Sequence, residues 1–94
     1  MGDMLKPGVG VVLCANGEMK RLEKEARFWS LKEMQKAVGG LIEFSRLDDG
    51  VHTLVSNEES LCVAEPIQNL SATIMLGRPL FGDVLVVRED DPRG

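Results

Sequence analysis

The stretch SLKEMQKAVGGLIEF, residues 30–44, contains the start of a helix, its end and the beginning of a strand. Ser30 is followed three residues later by Glu33, which is the spacing of a capping box at a helix N-terminus. Gly39 stands where a helix commonly ends in the left-handed conformation. The stretch therefore predicts a helix over 31–38 that runs directly into a strand.

The apolar residues of the same stretch support this helix. Trp29 and Met34 have the spacing of the hydrophobic staple that accompanies a capping box. Leu31, Met34 and Val38 fall on one helical face, which we expect to be buried. Gly40 has no side chain, so the chain can pass close to the sheet before the strand begins.

The rest of the chain is patterned mainly as strands. Strands are predicted over 8–14, 40–47, 51–56 and 80–87, with a polar edge strand or a helical turn over 19–25 and a short extended segment over 61–64. A second helix is predicted to begin at Pro66, with Ile67, Leu70 and Ile74 on its apolar face.

These elements predict one α+β domain over residues 1–88, followed by a disordered acidic tail over 89–94. We expect a small antiparallel or mixed sheet of four to five strands, with two short helices packed on one face. A chain of 94 residues is long enough for a modest core without disulfides or a metal.

Composition excludes several classes of function. The net charge of −4 argues against general nucleic-acid binding, which needs clustered Lys and Arg. No apolar run is long enough for a membrane span, and residues 1–17 lack the basic-then-apolar pattern, so we expect no signal peptide. Cys14 and Cys62 lie in apolar runs without a CxxC or a histidine cluster, so we expect buried thiols, a cytoplasmic protein, and no metal or cofactor.

Catalysis has little support in the sequence. His52 is the single histidine, and a nucleophilic pair with Cys14 or Cys62 is conceivable but is not favoured. Glu58 and Glu59 are adjacent, and neighbours in a strand face opposite ways, so they would not act together on a substrate. We therefore expect a protein that is not an enzyme.

Polar residues inside the second helical segment are the best candidates for a binding site. Asn69 and Thr73 are four residues apart and share a helical face. One interpretation is that they hydrogen-bond loop backbone, in particular that of residues 57–60. The other interpretation is that they line a ligand pocket in which Asn57 and Asn69 read a base or a ribose.

Two arginines complete the predicted ligand set. Arg78, in the loop that ends the second helix, would supply a cation for a phosphate. Arg27 belongs to a stretch over 18–36 in which basic residues outnumber acidic ones. The simpler interpretation of both is a solvated surface arginine.

Four blocks of the chain, over 31–43, 55–60, 66–73 and 81–87, resemble a family of small domains of unknown function found mostly in bacteriophages, plasmids and bacteria. The shared pattern is LxxMQxxVGGxIE, then NEE, then NxxAT, then GDVLVV, and it extends over about residues 28–88. Ser60 stands where the family tends to carry Gly. The resemblance implies an origin in a mobile element or a prokaryotic cytoplasm, and it implies no activity.

The sequence thus leads to a non-enzymatic phage-type binding protein, for which two mechanisms remain open. The first is an anti-defence sponge, a homo-oligomer that sequesters a nucleotide-derived immune signal. The second is an inhibitor or accessory factor that contacts a host defence protein through an acidic surface over 43–65 and 83–91. If the Val-rich strand over 9–13 or 84–87 is a sheet edge, its pairing across a two-fold axis would provide a homo-oligomer.

Overall fold

The computed structural model describes residues 9–23, 29–47, 51–59 and 66–88. Its elements are β1 (Val9–Leu13), β2 (Met19–Glu23), α1 (Leu31–Val38), β3 (Ile42–Arg46), β4 (His52–Asn57), α2 (Leu70–Leu76) and β5 (Val84–Arg88). The five strands form one antiparallel sheet in the order β2-β1-β5-β4-β3. The predicted α+β class is confirmed.

The last strand occupies the centre of the sheet. β1 and β2 form one hairpin, β3 and β4 form another, and β5 pairs with β1 on one side and β4 on the other. Since neither β1 nor β5 is an edge, the two Val-rich strands are not available for pairing with a second copy. The edges of the sheet are β2 and β3.

The helices pack on opposite faces of the sheet, so the expectation that both share one face is wrong. The α1 side buries Val12, Cys14, Met34, Val38, Val55, Leu85 and Val87, and the α2 side buries Val9, Leu13, Leu54, Ala72, Val84 and Val86. Successive side chains of a strand point to opposite faces. Because β5 is apolar at four successive positions, both of its faces need a covering layer.

Helix α1 begins and ends as its sequence predicts. Ser30 Oγ accepts a hydrogen bond from the Glu33 amide at 3.1 Å, and a Glu33 carboxylate oxygen accepts one from the Ser30 amide at 2.8 Å. Gly39 ends the helix at φ 84°. A Cβ on Gly40 would lie 2.9 Å from Asn57 Nδ2, so this glycine permits the close approach of the chain to β4.

Helix α2 differs from its prediction in both its start and its orientation. It begins after Asn69 and not at Pro66, because the Asn69 side chain caps it by accepting a hydrogen bond from the Ala72 amide. Asn69 is fully buried and Ala72 is buried beside it, so the inner face of the helix is fixed by this polar residue. The predicted apolar face, Ile67, Leu70 and Ile74, is turned outward.

The predicted features at residues 1–8, 24–28, 48–50, 60–65 and 89–94 lie outside the described residues. They include Arg27, Cys62, the extended segment over 61–64 and the acidic tail. Within the described part of the chain, no helix has the length and apolar character needed to cross a bilayer.

Candidate binding site

A surface cavity of about 220 Å³ lies between the ends of β3 and β4 and the loop that follows α2. It is lined by Glu43, Ser56, Asn57, Glu58, Arg78, Pro79, Leu80 and Phe81. We call it the Arg78 pocket. Two of the predicted ligand-binding residues, Asn57 and Arg78, meet here, whereas Asn69 and Thr73 do not line it.

Asn69 has a structural role that uses its whole amide group. It is fully buried, and its Nδ2 donates to the carbonyl oxygens of Leu13 at 2.6 Å and Gly82 at 2.8 Å. Its Oδ1 accepts from the Ala72 amide at 3.1 Å. The interpretation that this residue binds backbone is therefore correct, but the backbone belongs to β1 and to the segment before β5, and not to residues 57–60.

Thr73 stabilises one wall of the pocket through hydrogen bonds, although it does not line the cavity. Its Oγ1 accepts a hydrogen bond from the Leu80 amide at 3.0 Å and lies 3.4 Å from the Leu80 carbonyl oxygen. Leu80 is part of the pocket wall. Thr73 thus holds this wall against α2 without facing the cavity.

Asn57 joins the end of α1 to the turn after β4. Its Nδ2 donates to the Val38 carbonyl oxygen at 3.3 Å, and its Oδ1 accepts from the Glu59 amide at 2.8 Å. Carbonyls in the last turn of a helix lack partners within the helix, so the first of these bonds satisfies one of them. Each end of the amide keeps one hydrogen-bonding position for a ligand.

Arg78 is held at the pocket by β3. Its Nη2 donates to Ser45 Oγ at 3.0 Å, and Ser45 is buried on the face of the sheet that α2 covers. A guanidinium has five N–H donors in a planar arrangement. Most of the donors of Arg78 therefore remain available to a bound molecule.

Ser56 supplies a hydroxyl that the sequence analysis did not identify. The residue is only 5% exposed, it lines the pocket, and its hydroxyl has no hydrogen-bond partner among the described residues. The Ser56 oxygen is not among the fully enclosed unpartnered atoms of the described residues, so it reaches the cavity, where it can donate to or accept from a bound molecule. Hairpin register could have indicated the site, because it places Ser56 directly opposite Glu43 on β3.

Two carboxylates make the pocket electrostatically mixed. Glu43 and Glu58 both line it, and neither forms an ion pair with a described cation. With Arg78 as the lining cation, two carboxylates face one guanidinium. No described residue of the basic stretch over 18–36 contributes to the lining. The pocket can bind positive and negative groups at once.

An exposed apolar strip on α2 is a second surface of interest. Ile67, Leu70 and Ile74, which we call the α2 stripe, are 62%, 65% and 82% exposed. Leu70 and Ile74 are four residues apart in α2 and share one side of the helix, and Ile67 lies in the segment that precedes it. Single exposed apolar residues are ordinary, but a continuous strip of them is typical of a docking surface.

Of the residues considered for a nucleophilic pair, the structure describes Cys14 and His52, and these two do not meet. Cys14 is buried in the α1-side core, whereas His52 alternates along β4 with Leu54, which is in the α2-side core. The sheet therefore separates the two side chains. The described residues contain no group of His, Cys, Asp and Glu suited to a metal ion.

Comparison with known proteins gives one match. The sequence pattern of a family described as a domain of unknown function (DUF3846) matches residues 9–94. No curated protein and no solved structure matches the chain. The site must therefore be interpreted from its own residues.

Proposed function

The chain belongs to DUF3846, a family of domains of unknown function, and on this premise we propose that it is a non-enzymatic domain that binds a small polar molecule in the Arg78 pocket. The observation that carries the proposal is Ser56, a residue only 5% exposed whose hydroxyl lines the cavity without a partner among the described residues. Beside it lies a guanidinium that Ser45 already positions, so little side-chain entropy is lost when a ligand binds.

The biological setting that we propose is the cytoplasm of a bacterium that carries a phage or plasmid. The blocks over 31–43, 55–60, 66–73 and 81–87, which resemble domains of mobile elements, support this origin. In that setting a compact binding protein would act by sequestering a signal of the host defence. A nucleotide-derived signal would place a phosphate on Arg78 and a base or ribose against Asn57.

The dimensions of the pocket limit what it can hold. Its volume of about 220 Å³ is below the ~300–1,000 Å³ that is usual for drug-sized ligands. Either the ligand is small, or one moiety of a larger ligand enters the pocket while the rest lies outside.

Native mass spectrometry on protein purified from bacterial cells tests this function directly. We expect the wild-type protein to retain a small molecule that is released on denaturation, and we expect Arg78→Gln to lose it. Arg21→Gln is the matched control, because Arg21 is an exposed arginine on β2 that does not line the pocket. Equal retention by all three proteins, or no retained mass in any of them, would contradict the proposal.

The α2 stripe favours a second candidate function, which is docking to another protein. Fully burying an aliphatic side chain stabilises a complex by about 1.5–3 kcal/mol, so three exposed ones are a substantial potential contribution. The occupant would be a second copy of the chain or a host defence protein. This candidate uses an apolar surface, in contrast to the acidic surface that the charge pattern suggests.

A further inference from the structure

We propose that the Arg78 pocket recognises a zwitterion of the α-amino acid class. The ammonium group would lie at the Glu43 and Glu58 carboxylates, and the carboxylate at the Arg78 guanidinium and the Ser56 hydroxyl. This inference rests on the proposed function, since it names the class of molecule that the same pocket binds.

The cationic end follows from the unpaired carboxylates. Glu43 and Glu58 line the cavity and form no ion pair with a described cation. An ammonium group has three donors and no acceptor, so it can bind two carboxylates at once. Such charge-assisted hydrogen bonds are stronger than neutral ones.

The anionic end follows from Arg78 and Ser56. The guanidinium is fixed to Ser45 Oγ at 3.0 Å, and its remaining donors match a carboxylate in the bidentate arrangement. The Ser56 hydroxyl, in a residue that is 95% buried, can donate to the same carboxylate. This hydroxyl belongs to a buried residue, has no partner among the described residues and opens onto the cavity, so it is an observation independent of the acidic residues.

Charge balance distinguishes the zwitterion from a nucleotide. Two carboxylates and one guanidinium give the pocket one excess negative charge. A zwitterion leaves that excess unchanged, whereas a phosphate with two negative charges adds to it. Because like charges at short range are mutually destabilising, the pocket is better suited to the zwitterion.

The remaining wall of the pocket is apolar. Pro79, Leu80 and Phe81 form it, and Leu80 is held in place by Thr73. An aliphatic or aromatic side chain of the ligand would pack against this wall. L-leucine and L-phenylalanine are therefore suitable probes.

The experiment is an NMR titration of the full ¹⁵N-labelled chain with L-leucine. N-acetyl-L-leucine, which lacks the ammonium, and L-leucinamide, which lacks the carboxylate, are the comparison ligands, and guanosine monophosphate is the nucleotide probe. We expect L-leucine to shift the amides of Glu43, Ser56 and residues 78–81. We expect each comparison ligand to bind about tenfold more weakly or worse, because one charge-assisted contact is lost.

Variants show which residues bind the carboxylate of the ligand and which bind its ammonium group. Arg78→Gln should bind L-leucine and L-leucinamide equally, and Glu58→Gln should reduce the preference for L-leucine over its N-acetyl form. Glu59→Gln is the control for Glu58, because Glu59 is an exposed neighbour that does not line the pocket. The dispersion of the amide spectrum of each variant shows whether it is folded.

The outcomes separate this inference from the function on which it rests. Equal binding of L-leucine and L-leucinamide overturns the zwitterion. Shifts with guanosine monophosphate but none with millimolar L-leucine also overturn it, while small-molecule binding at the pocket stands. If neither probe shifts the pocket amides and no retained molecule is found by mass spectrometry, both proposals are wrong.

Discussion

Asn69 is the residue for which the sequence leaves two roles open, binding backbone or binding a ligand. In the structure it is enclosed between β1, α2 and the segment before β5, where it binds backbone. Sequence alone cannot separate the two roles, because the carbonyls of Leu13 and Gly82 that it binds are far from it along the chain. Burial decides the question.

Asn69→Ala should lower the free energy of unfolding by about 2–4 kcal/mol, since it removes a helix cap and leaves two carbonyls without their donor. Asn69→Asp should be at least as damaging, because it keeps the cap and places a carboxylate against the Leu13 and Gly82 carbonyls. Urea unfolding measures both. Asn16→Ala is the control, because its Oδ1 accepts a bond in an exposed turn. Equal stabilities of all three variants would show that the buried contacts contribute nothing.

Gly10 lies at a position where the neighbouring side chains leave no room for a Cβ atom. A Cβ at this position would lie 2.8 Å from Trp29 Cζ2 and 3.0 Å from Leu85 Cδ1. Gly10→Ala should therefore displace the indole and destabilise the fold by about 1–3 kcal/mol.

Fluorescence can follow that displacement, because Trp29 is the single tryptophan of the chain. We expect a red shift of the emission maximum in Gly10→Ala together with a lower urea midpoint. Gly17→Ala is the control for the emission alone: Gly17 has φ 96°, so alanine there strains the backbone and lowers the urea midpoint, but nothing lies within 4 Å of its Cβ position and the emission should be unchanged. An unshifted spectrum in Gly10→Ala would mean that the indole does not pack on this glycine.

At the level of elements, the two helices show what local sequence can and cannot specify. The start and the end of helix α1 are predicted correctly because their signals lie within about ten residues. Met34 and Val38 are buried as expected, but Leu31, predicted on the same buried face, is 55% exposed. Helix α2 is predicted with the wrong face, because the apolar spacing of Ile67, Leu70 and Ile74 says nothing about which side meets the sheet. That side is fixed by Asn69, through contacts with distant backbone.

The pocket was predictable only in part for the same reason. Asn57 and Arg78 are conspicuous polar residues in the sequence, and both line it. Ser56 and Glu43 become candidates only when the hairpin register places them opposite each other. The pocket combines residues of β3, β4 and the loop after α2. The sequence pattern of any one of these elements therefore does not predict it.

Ile74→Lys tests the role of the α2 stripe. Because Ile74 is 82% exposed, the substitution should change the stability of the monomer by less than about 0.5 kcal/mol. If the stripe docks a second copy, the variant should remain monomeric at concentrations at which the wild-type protein associates. Light scattering after gel filtration, at several protein concentrations, measures this.

Met19→Lys is the matched control for that experiment, because Met19 is an apolar residue of similar exposure, 68%, on the edge strand β2. It should associate as the wild-type protein does. A loss of more than about 1 kcal/mol in the unfolding of Ile74→Lys would instead mean that Ile74 stabilises the monomer, and the stripe would then not be a docking surface.

At the scale of the whole molecule, β5 connects two hairpins that share no other strand pairing among the described residues. An isolated hairpin is marginally stable at best. A chain that ends at Asp83 should therefore be unfolded as a whole, without a residual half of the sheet. Circular dichroism and the dispersion of the amide spectrum would show this.

A chain that ends at Arg88 keeps all five strands and is the control for that truncation. It should retain the wild-type stability, and it also tests the predicted domain boundary at residue 88. Native-like dispersion in the chain that ends at Asp83 would contradict the central role of β5. Unfolding of both chains would move the domain boundary beyond Arg88.

The central position of β5 also has a consequence for synthesis on the ribosome. The strand that β5 must join ends at Leu13, and β5 begins at Val84, so roughly seventy residues are translated between them. At ~5–20 residues per second, β1 waits about 4–14 s for its inner partner, whereas β4, which ends at Asn57, waits a shorter time. During that interval the nascent chain exposes unpaired apolar strands, and it is then most dependent on chaperones.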